Sequence, residues 1–210
     1  MRARPITPCI ARSFAGRLDI EVIPGGLPAR GRNAGARVAQ TRYLLFIDAD
    51  IEIADPTLVR RTVELAGRRG LHCVTTNIAC PQGGRADRLL YTGNNLMQHL
   101  SRLYRPFSTG MYMLFEKGCF ERLGGFHEQA LFAEDYMLSN QVARSRFGIV
   151  RGNVITTNRR FRKMGRLRVA RLFLNTALHT GNPDFFLRDH GYWHPELDEA
   201  AVTQSAKSIA

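Results

Sequence analysis

The chain has 210 residues, of which 44% are hydrophobic, and its formal net charge is +12. That length suffices for one domain with a substantial core, and the hydrophobic share is too high for an intrinsically disordered chain. The positive charge favours partners that carry phosphate, such as nucleotides, anionic lipids or nucleic acid, without choosing among them.

Cysteine spacing and hydropathy exclude several further classes. The four cysteines form no CxxC pair, which argues against a zinc ribbon or a thioredoxin-like site and favours reduced, buried thiols. No apolar run reaches the roughly 20 residues that span a bilayer. The basic segment 1–17 lacks the apolar core of a secretory signal, and we interpret it as a leader.

Strand and helix patterns alternate along the chain, as in an α/β domain. Strands are predicted at 19–23, 43–47, 71–79, 111–115 and in the extended segment 147–156. Helices are predicted at 29–40, from an N-cap at Asp55 with Pro56 at N1, at 85–104, at 119–123, from Asp135 and at 167–178.

The apolar run Tyr43–Ile47 leads directly into Asp48 and Asp50. A strand interior would not bury unpaired acids, so the strand ends there. A continuously apolar strand is typical of a parallel sheet that is covered on both faces, and ligands bind beyond the carboxyl ends of such strands. One carboxylate can bind a divalent cation while the other reaches a different part of the ligand. For this motif in isolation, a plain acidic loop is the favoured alternative.

Other polar residues stand at predicted helix starts. Arg32 and Asn33 could meet a phosphate or a base, or they could be a solvated arginine and a capping asparagine. Glu134 and Asp135 follow a glycine-bearing loop, and they either complement a helix dipole or face a cleft.

The carboxyl-terminal third is basic. The run 158–163 precedes an amphipathic helix, 167–178, with Arg166, Arg168 and Arg171 on or near its polar side. Such a helix could dock on an anionic bilayer, although packing against its own domain is favoured.

Several motifs occur together in a fixed order: R-N-x-G at 32–35, DAD at 48–50, TGMYMLF at 109–115, ERLGGFHE at 121–128, AEDYML at 133–138 and NRRF at 158–161. From about Asp19 to Phe161 this order resembles the family-2 glycosyltransferases. The resemblance implies a GT-A-like, Rossmann-like α/β fold with a mixed sheet flanked by helices. It also implies inverting transfer of a sugar from a nucleotide-sugar donor to an acceptor hydroxyl.

The resemblance assigns roles to the acids. Asp48 and Asp50 correspond to the family residues that bind the nucleotide sugar and its Mg²⁺ or Mn²⁺. Asp135 corresponds to the catalytic base, and Glu134 is its neighbour at the donor site. In the loop before that pair, His127 stands where aspartate is commoner.

Charge and position assign donor contacts to three arginines, Arg32, Arg159 and Arg160, which we expect to neutralise diphosphate charge. His190 or His194 could complete a metal shell, but late single histidines are more often structural, so neither is included in the predicted metal site.

One departure from the family concerns the amino-terminal part. The family's first strand, its Pro-x-Asn turn and a second strand ending in Asp-Gly-Ser are not visible before Asp19. We therefore expect an amino-terminally truncated domain that is poorly soluble or pairs with another chain. The predicted divisions are a leader at 1–18, the GT-A-like domain at 19–165, a helix with a packed tail at 166–197 and a disordered tail at 198–210.

The implied partners are a nucleoside diphosphate sugar and a saccharide or lipid-linked acceptor, used in bacterial envelope polysaccharide or glycolipid synthesis. The implied location is the cytoplasm, with peripheral contact to the inner membrane face as an option. One alternative is an inactive remnant of the fold. A haloacid-dehalogenase-type phosphatase is disfavoured by Glu52, and an arginine-rich nucleic-acid-binding module is disfavoured because no recognition helix or aromatic platform accompanies the charge.

Overall fold

The computed structural model describes residues 13–14, 16–23, 26–179 and 182–188. In chain order the elements are α1 (Pro28–Val38), β1 (Tyr43–Ile47), β2 (Ile51–Glu52), α2 (Leu58–Arg69), β3 (Cys73–Ala79), α3 (Arg85–Ser101), β4 (Tyr112–Glu116), α4 (Lys117–Arg122), α5 (Glu134–Ser139), a 3₁₀ turn (Arg144–Arg146), β5 (Phe147–Thr156), α6 (Arg159–Met164), α7 (Arg166–Leu178) and α8 (Pro183–Leu187). Among the described helices, none combines the length and the apolar character that a membrane span requires.

The five strands of the described residues form one mixed sheet in the order β1-β4-β3-β5-β2. Within it β3 and β5 run parallel, and the other neighbours are antiparallel. The expectation that Tyr43–Ile47 belongs to a parallel sheet is therefore wrong, because β1 pairs antiparallel with β4. Of its apolar residues, Leu44 and Phe46 are buried, whereas Ile47 is exposed.

Helices cover both faces of this sheet. Successive side chains of strand β4 point to opposite faces of the sheet. Tyr112 and Leu114 belong to one apolar cluster, and Met113 and Phe115 belong to the other. Residues of α2, α3, α6 and α7 complete the first cluster, and residues of α1, α4 and α5 complete the second. The predicted α/β fold with a mixed sheet flanked by helices is thus confirmed.

Two predicted elements differ in detail. Residues 19–23 are described but form no strand. Helix α2 begins at Leu58, later than the predicted cap, because Asp55 Oδ1 accepts hydrogen bonds from Thr57 N and Thr57 Oγ1 at 2.8 and 2.7 Å. That bonding makes a turn of the kind aspartate favours before the helix starts.

Helix α3 starts where predicted and ends at Ser101 rather than at 104. Its inward side combines the apolar residues Leu90 and Tyr91 with polar residues that contact the sheet. Beyond Thr75, strand β4 no longer pairs with β3, which leaves backbone groups of β3 to be satisfied. Gln98 Nε2 donates to Thr76 O at 3.1 Å, and the Asn95 amide bonds both Ile78 N and Ile78 O. Most of the apolar residues that gave the helical spacing face solvent: Leu89, Leu96, Met97, Leu100 and Leu103. Leu90 packs against the core, and Tyr104, after the helix, is exposed.

The cysteines of the described part agree with the expectation of reduced, buried thiols. Cys73, Cys80 and Cys119 are free and buried. Cys9 lies outside the described residues.

Candidate active site

Predicted site residues from three elements converge on the side chain of Arg32. From α1, its Nη2 donates to Asp48 Oδ1 at 2.5 Å, directly after β1, and its Nη1 donates to Glu134 Oε1 at 2.7 Å, at the start of α5. Nη2 also lies 3.4 Å from Gly110 O, and the guanidinium sits 5.3 Å from the centre of the Phe126 ring. Only 15% of the Arg32 side chain is exposed, so the pairing takes place away from bulk water.

Arg32 and Asn33 lie inside α1 rather than at its start, so the expectation of a capping asparagine and a solvated arginine is wrong. A ligand contact stays a prediction. Asn33 is buried, and its Nδ2 donates to Phe126 O at 2.8 Å and to Glu128 Oε1 at 3.1 Å. Phe126 N returns a hydrogen bond to Asn33 Oδ1 at 2.9 Å. Asn33 therefore fixes the glycine-bearing loop, and through it the aromatic ring beneath Arg32.

Asp135 is held by the backbone ahead of β4. Its Oδ2 accepts a hydrogen bond from Gly110 N, and its Oδ1 accepts one from Tyr136 N at 2.8 Å. A Cβ at Gly110 would lie 2.7 Å from Arg32 Nη2, so a larger residue there would displace the guanidinium. Gly110 thus contacts both the bridging arginine and the predicted base.

Backbone strain marks the turn that presents the two acids. Ala133, immediately before α5, has φ 55 and ψ 35, a left-handed conformation that costs a non-glycine residue about 1 kcal/mol. The buried side chain of Phe132 packs with Leu172 and Phe186 and holds the turn in place. Nothing in the sequence distinguishes Ala133, whereas the neighbouring acids were found by their motif.

One guanidinium faces more carboxylates than it can neutralise. Burial, followed by the charge of Asp135, raises the pKa of Glu134 to about 7, and these effects outweigh the opposing effect of Arg32. Burial also raises the pKa of Asp48, against the lowering by Arg32. The cluster therefore carries a titratable proton close to neutral pH.

We expect the metal-free protein to lose stability as pH rises from about 4.5 to about 7, because folded Glu134 keeps its proton where the unfolded chain has released it. Protonated Glu134 contributes its full share to the free energy of unfolding at pH values below its pKa in the unfolded chain. That share is lost as the pH rises through its pKa in the folded protein. Urea denaturation of wild type and Glu134→Gln at intervals across this range checks it. Relative to the variant, wild type should lose on the order of 2–3 kcal/mol. Parallel stability curves for the two proteins would contradict the expectation.

Asp50 differs from Asp48 in its surroundings. Its Oδ2 lies 2.9 Å from Arg159 Nη2, and the side chains of Asp50 and Arg159 are 43% and 77% exposed. Asp48 is thus engaged with the buried arginine, whereas Asp50 is open to solvent and to ligands. The side chain of Arg160 lies outside the described part of the structure.

The predicted divalent cation would need oxygen ligands from these acids. Within the described residues, no three His, Cys, Asp or Glu side chains converge as a metal site. An exposed carboxylate such as Asp50 nevertheless fits Mg²⁺ or Mn²⁺, which proteins commonly hold through one or two carboxylates together with substrate phosphates. His190 and His194 lie outside the described residues.

Comparison with known proteins decides the family. The family model described as Glycosyl transferase family 2 matches residues 5–124, more than half of the chain. The chain belongs to glycosyltransferase family 2. The match contains Arg32, Asp48 and Asp50 and ends before Glu134 and Asp135. No curated protein sequence matches this glycosyltransferase.

Solved glycosyltransferase structures share its fold. The mannosyltransferase PcManGT from Pyrobaculum calidifontis, in complex with GDP-Man and Mn²⁺, has a TM-score of 0.57 and 17% identity, over 99% of this chain and 69% of that one. For residues 1–349 of TarS from S. aureus, the TM-score is 0.52 and the identity is 15%, over 81% of this chain and 52% of that one. For glucosyl-3-phosphoglycerate synthase from Mycobacterium tuberculosis, in complex with phosphoglyceric acid, the TM-score is 0.50 and the identity is 14%, over 82% of this chain and 65% of that one. The chain therefore spans about half to two thirds of the length of these proteins.

Proposed function

We propose that this glycosyltransferase inverts the configuration of the sugar it transfers from a nucleotide-sugar donor to an acceptor hydroxyl. The observation that carries the proposal is the cluster formed by Arg32, Asp48, Glu134 and Asp135 at the carboxyl end of β1. The backbone just before β4 continues the pairing with β1 at this end, because Asp48 N donates to Met111 O at 3.2 Å.

Asp135 is proposed as the general base. As the acceptor oxygen attacks the anomeric carbon, its proton passes to the Asp135 carboxylate and the bond to the donor diphosphate breaks. The hydrogen bond from Gly110 N fixes the position of that carboxylate, which is the group proposed to accept the proton. Glu134 stands beside it with a pKa of about 7, so it supplies a second protonatable group.

The departing diphosphate needs positive charge. Mg²⁺ or Mn²⁺ held at Asp50 would supply part of that charge when bound. Arg159, which now pairs with Asp50, and Arg160 in the same run are proposed to contact the diphosphate. A donor contact for Arg32 stays a prediction; since carboxylates engage both of its terminal nitrogens, we assign it first to positioning Asp48 and Glu134.

The substrate class and location are proposed from charge and family. The net charge of +12 suits a nucleoside diphosphate sugar and an anionic or lipid-linked acceptor, and no nucleic-acid partner is expected. Envelope polysaccharide or glycolipid synthesis in the cytoplasm or at the inner membrane face stays the preferred role. Of the arginines predicted for membrane contact, Arg166 is bound to buried Asp87, whereas Arg168 and Arg171 are exposed.

Calorimetric titration with uridine, guanosine and thymidine diphosphates, with and without Mn²⁺, tests the donor site. We expect Mn²⁺-dependent binding of one nucleotide, weakened roughly 100-fold or more in Asp50→Ala because a metal ligand is removed. Glu52→Ala, an exposed acid in the neighbouring strand, is the matched control and should bind like wild type. Equal binding by Asp50→Ala would refute the metal role. A folded protein that binds no nucleotide would support the alternative of an inactive remnant.

A further inference from the structure

The solvent-facing side of α3, with the turn that follows it, carries a row of exposed apolar side chains. We call it the apolar ridge and define it as Leu89, Leu96, Met97, Leu100, Leu103 and Tyr104, all of which are exposed. Within the helix these residues recur at helical spacing on the side opposite buried Tyr91 and Gln98. Scattered exposed apolar side chains need no explanation, but six of them along one side of a helix and its following turn indicate a surface that another phase or molecule covers.

Positive charge borders the ridge. At its end lies a cleft of about 690 Å³ whose lining includes Arg102, Arg105 and Arg144, together with ridge residues and no carboxylate. Arg85 and Arg88 are exposed at the other end of α3. We call the cleft with its arginines the basic cleft.

The single acid between Arg85 and Phe115 is Asp87, and it is unavailable to an incoming cation. Asp87 is fully buried and is bound by Arg166 Nε at 2.6 Å and by Asn158 Nδ2 at 3.1 Å. Bonds from Arg166 and then Asn158 lower its pKa to about 2, so it stays charged and paired. The surface thus combines exposed apolar residues with arginines that no nearby carboxylate of this segment neutralises.

We propose that this surface binds an anionic lipid bilayer, with the apolar ridge among the headgroups and acyl ends and the basic cleft against lipid phosphates. Helices with an exposed apolar side and basic flanks are typical of the membrane interface, where an anionic leaflet attracts each arginine. A second copy of the chain fits less well, since pairing along the ridge would bring two sets of arginines together without a carboxylate between them.

The surface is connected to the active site through a short segment. Residues 106–110 lead from the end of the ridge to Gly110, and Ser108 N is anchored to Ser139 Oγ of α5 at 2.9 Å. A bilayer on the ridge would therefore lie beside the chain that positions Asp135. This would suit a lipid-linked acceptor, a consequence that rests on the proposed function; bilayer binding itself does not.

Vesicle co-sedimentation of the full chain tests the proposal without any assay of activity. Wild type should bind phosphatidylcholine vesicles that contain phosphatidylglycerol, bind pure phosphatidylcholine weakly, and dissociate as salt rises. The double variant Leu96→Gln/Leu100→Gln should bind the anionic vesicles at least roughly tenfold more weakly, and so should Arg102→Gln/Arg105→Gln. Circular dichroism and melting temperature establish that each variant is folded.

The matched control is Leu167→Gln/Leu174→Gln on α7, where both leucines are also exposed, at 88% and 60%. It should bind within about twofold of wild type if the ridge is the membrane surface. Loss of binding in this control with retention in the ridge variant would move the membrane contact to α7 and overturn the proposal. Absence of binding by wild type would also overturn it, as would a wild-type dimer that the ridge variant converts to monomer.

Discussion

Asp135→Asn should lower the rate of sugar transfer by roughly 10²–10⁴-fold, the usual contribution of a positioned general base. The amide oxygen can still accept the hydrogen bond from Gly110 N, although the amide nitrogen cannot accept the second one, from Tyr136 N. The amide cannot take the acceptor proton, so the chemical step is the main loss. Single-turnover release of nucleoside diphosphate, with the donor base identified by calorimetric titration, measures the effect.

Nucleotide affinity supplies the control for this variant. It should stay within about twofold of wild type in Asp135→Asn, which would separate a chemical defect from a binding defect. An unchanged rate would show that Asp135 is not the base, and Glu134, whose pKa is about 7, would become the candidate. In that case Glu134→Gln should abolish transfer and remove the ionisation near neutral pH from the rate profile.

Much of the fold could be predicted because its signals are local. The strand Tyr43–Ile47 is apolar throughout and ends at charged residues, and helix α2 is preceded by Asp55 and Pro56, so both elements were found close to their observed bounds. Strand pairing is not local. Antiparallel pairing of β1 with β4 depends on residues far apart in the chain, and a uniformly apolar strand does not distinguish that arrangement from a parallel one.

Helix α3 shows why helical spacing does not identify the buried side. Its leucines define a helix, but the free backbone of β3 beyond Thr75 requires polar partners, and Asn95 and Gln98 provide them. A rule that places all apolar residues inside would misplace most of them, although Leu90 and Tyr91 do pack against the core. The orientation follows from hydrogen bonds that are visible only once β4 is seen to pair with β3 along part of its length.

The candidate site divides in the same way. Motifs identified the acids Asp48, Asp50, Glu134 and Asp135, which are chemically conspicuous at the ends of predicted elements. The contacts that hold these acids could not be predicted from the sequence. Gly110 N donates to Asp135, Ala133 adopts a strained conformation before Glu134, and Asn33 bonds the loop under Arg32. These contacts join segments up to about half the chain apart, so no local pattern reports them.

Replacing Arg32 by methionine should lower the free energy of unfolding by about 3–5 kcal/mol at pH 7.5, the cost of leaving a buried carboxylate without its partner. Asp48 and Glu134 would lose the cation that bridges them, while the side chains stay 28% and 10% exposed. The loss should be smaller at pH 5, because burial already raises the pKa of both acids and protonation would remove the unpaired charge. Urea denaturation at the two pH values measures both effects.

Arg30→Met is the matched control for this change, since Arg30 lies on the same helix, is 66% exposed and approaches Glu128 only to 3.8 Å. It should alter stability by less than about 1 kcal/mol, as exposed ion pairs do. Adding Glu134→Gln to Arg32→Met should recover part of the lost stability, because one of the two orphaned charges is gone. Equal stability of the Arg30 and Arg32 variants would mean that the guanidinium does not hold the site together. The assembly of the carboxylates would then rest on the backbone at Gly110 and Ala133 alone.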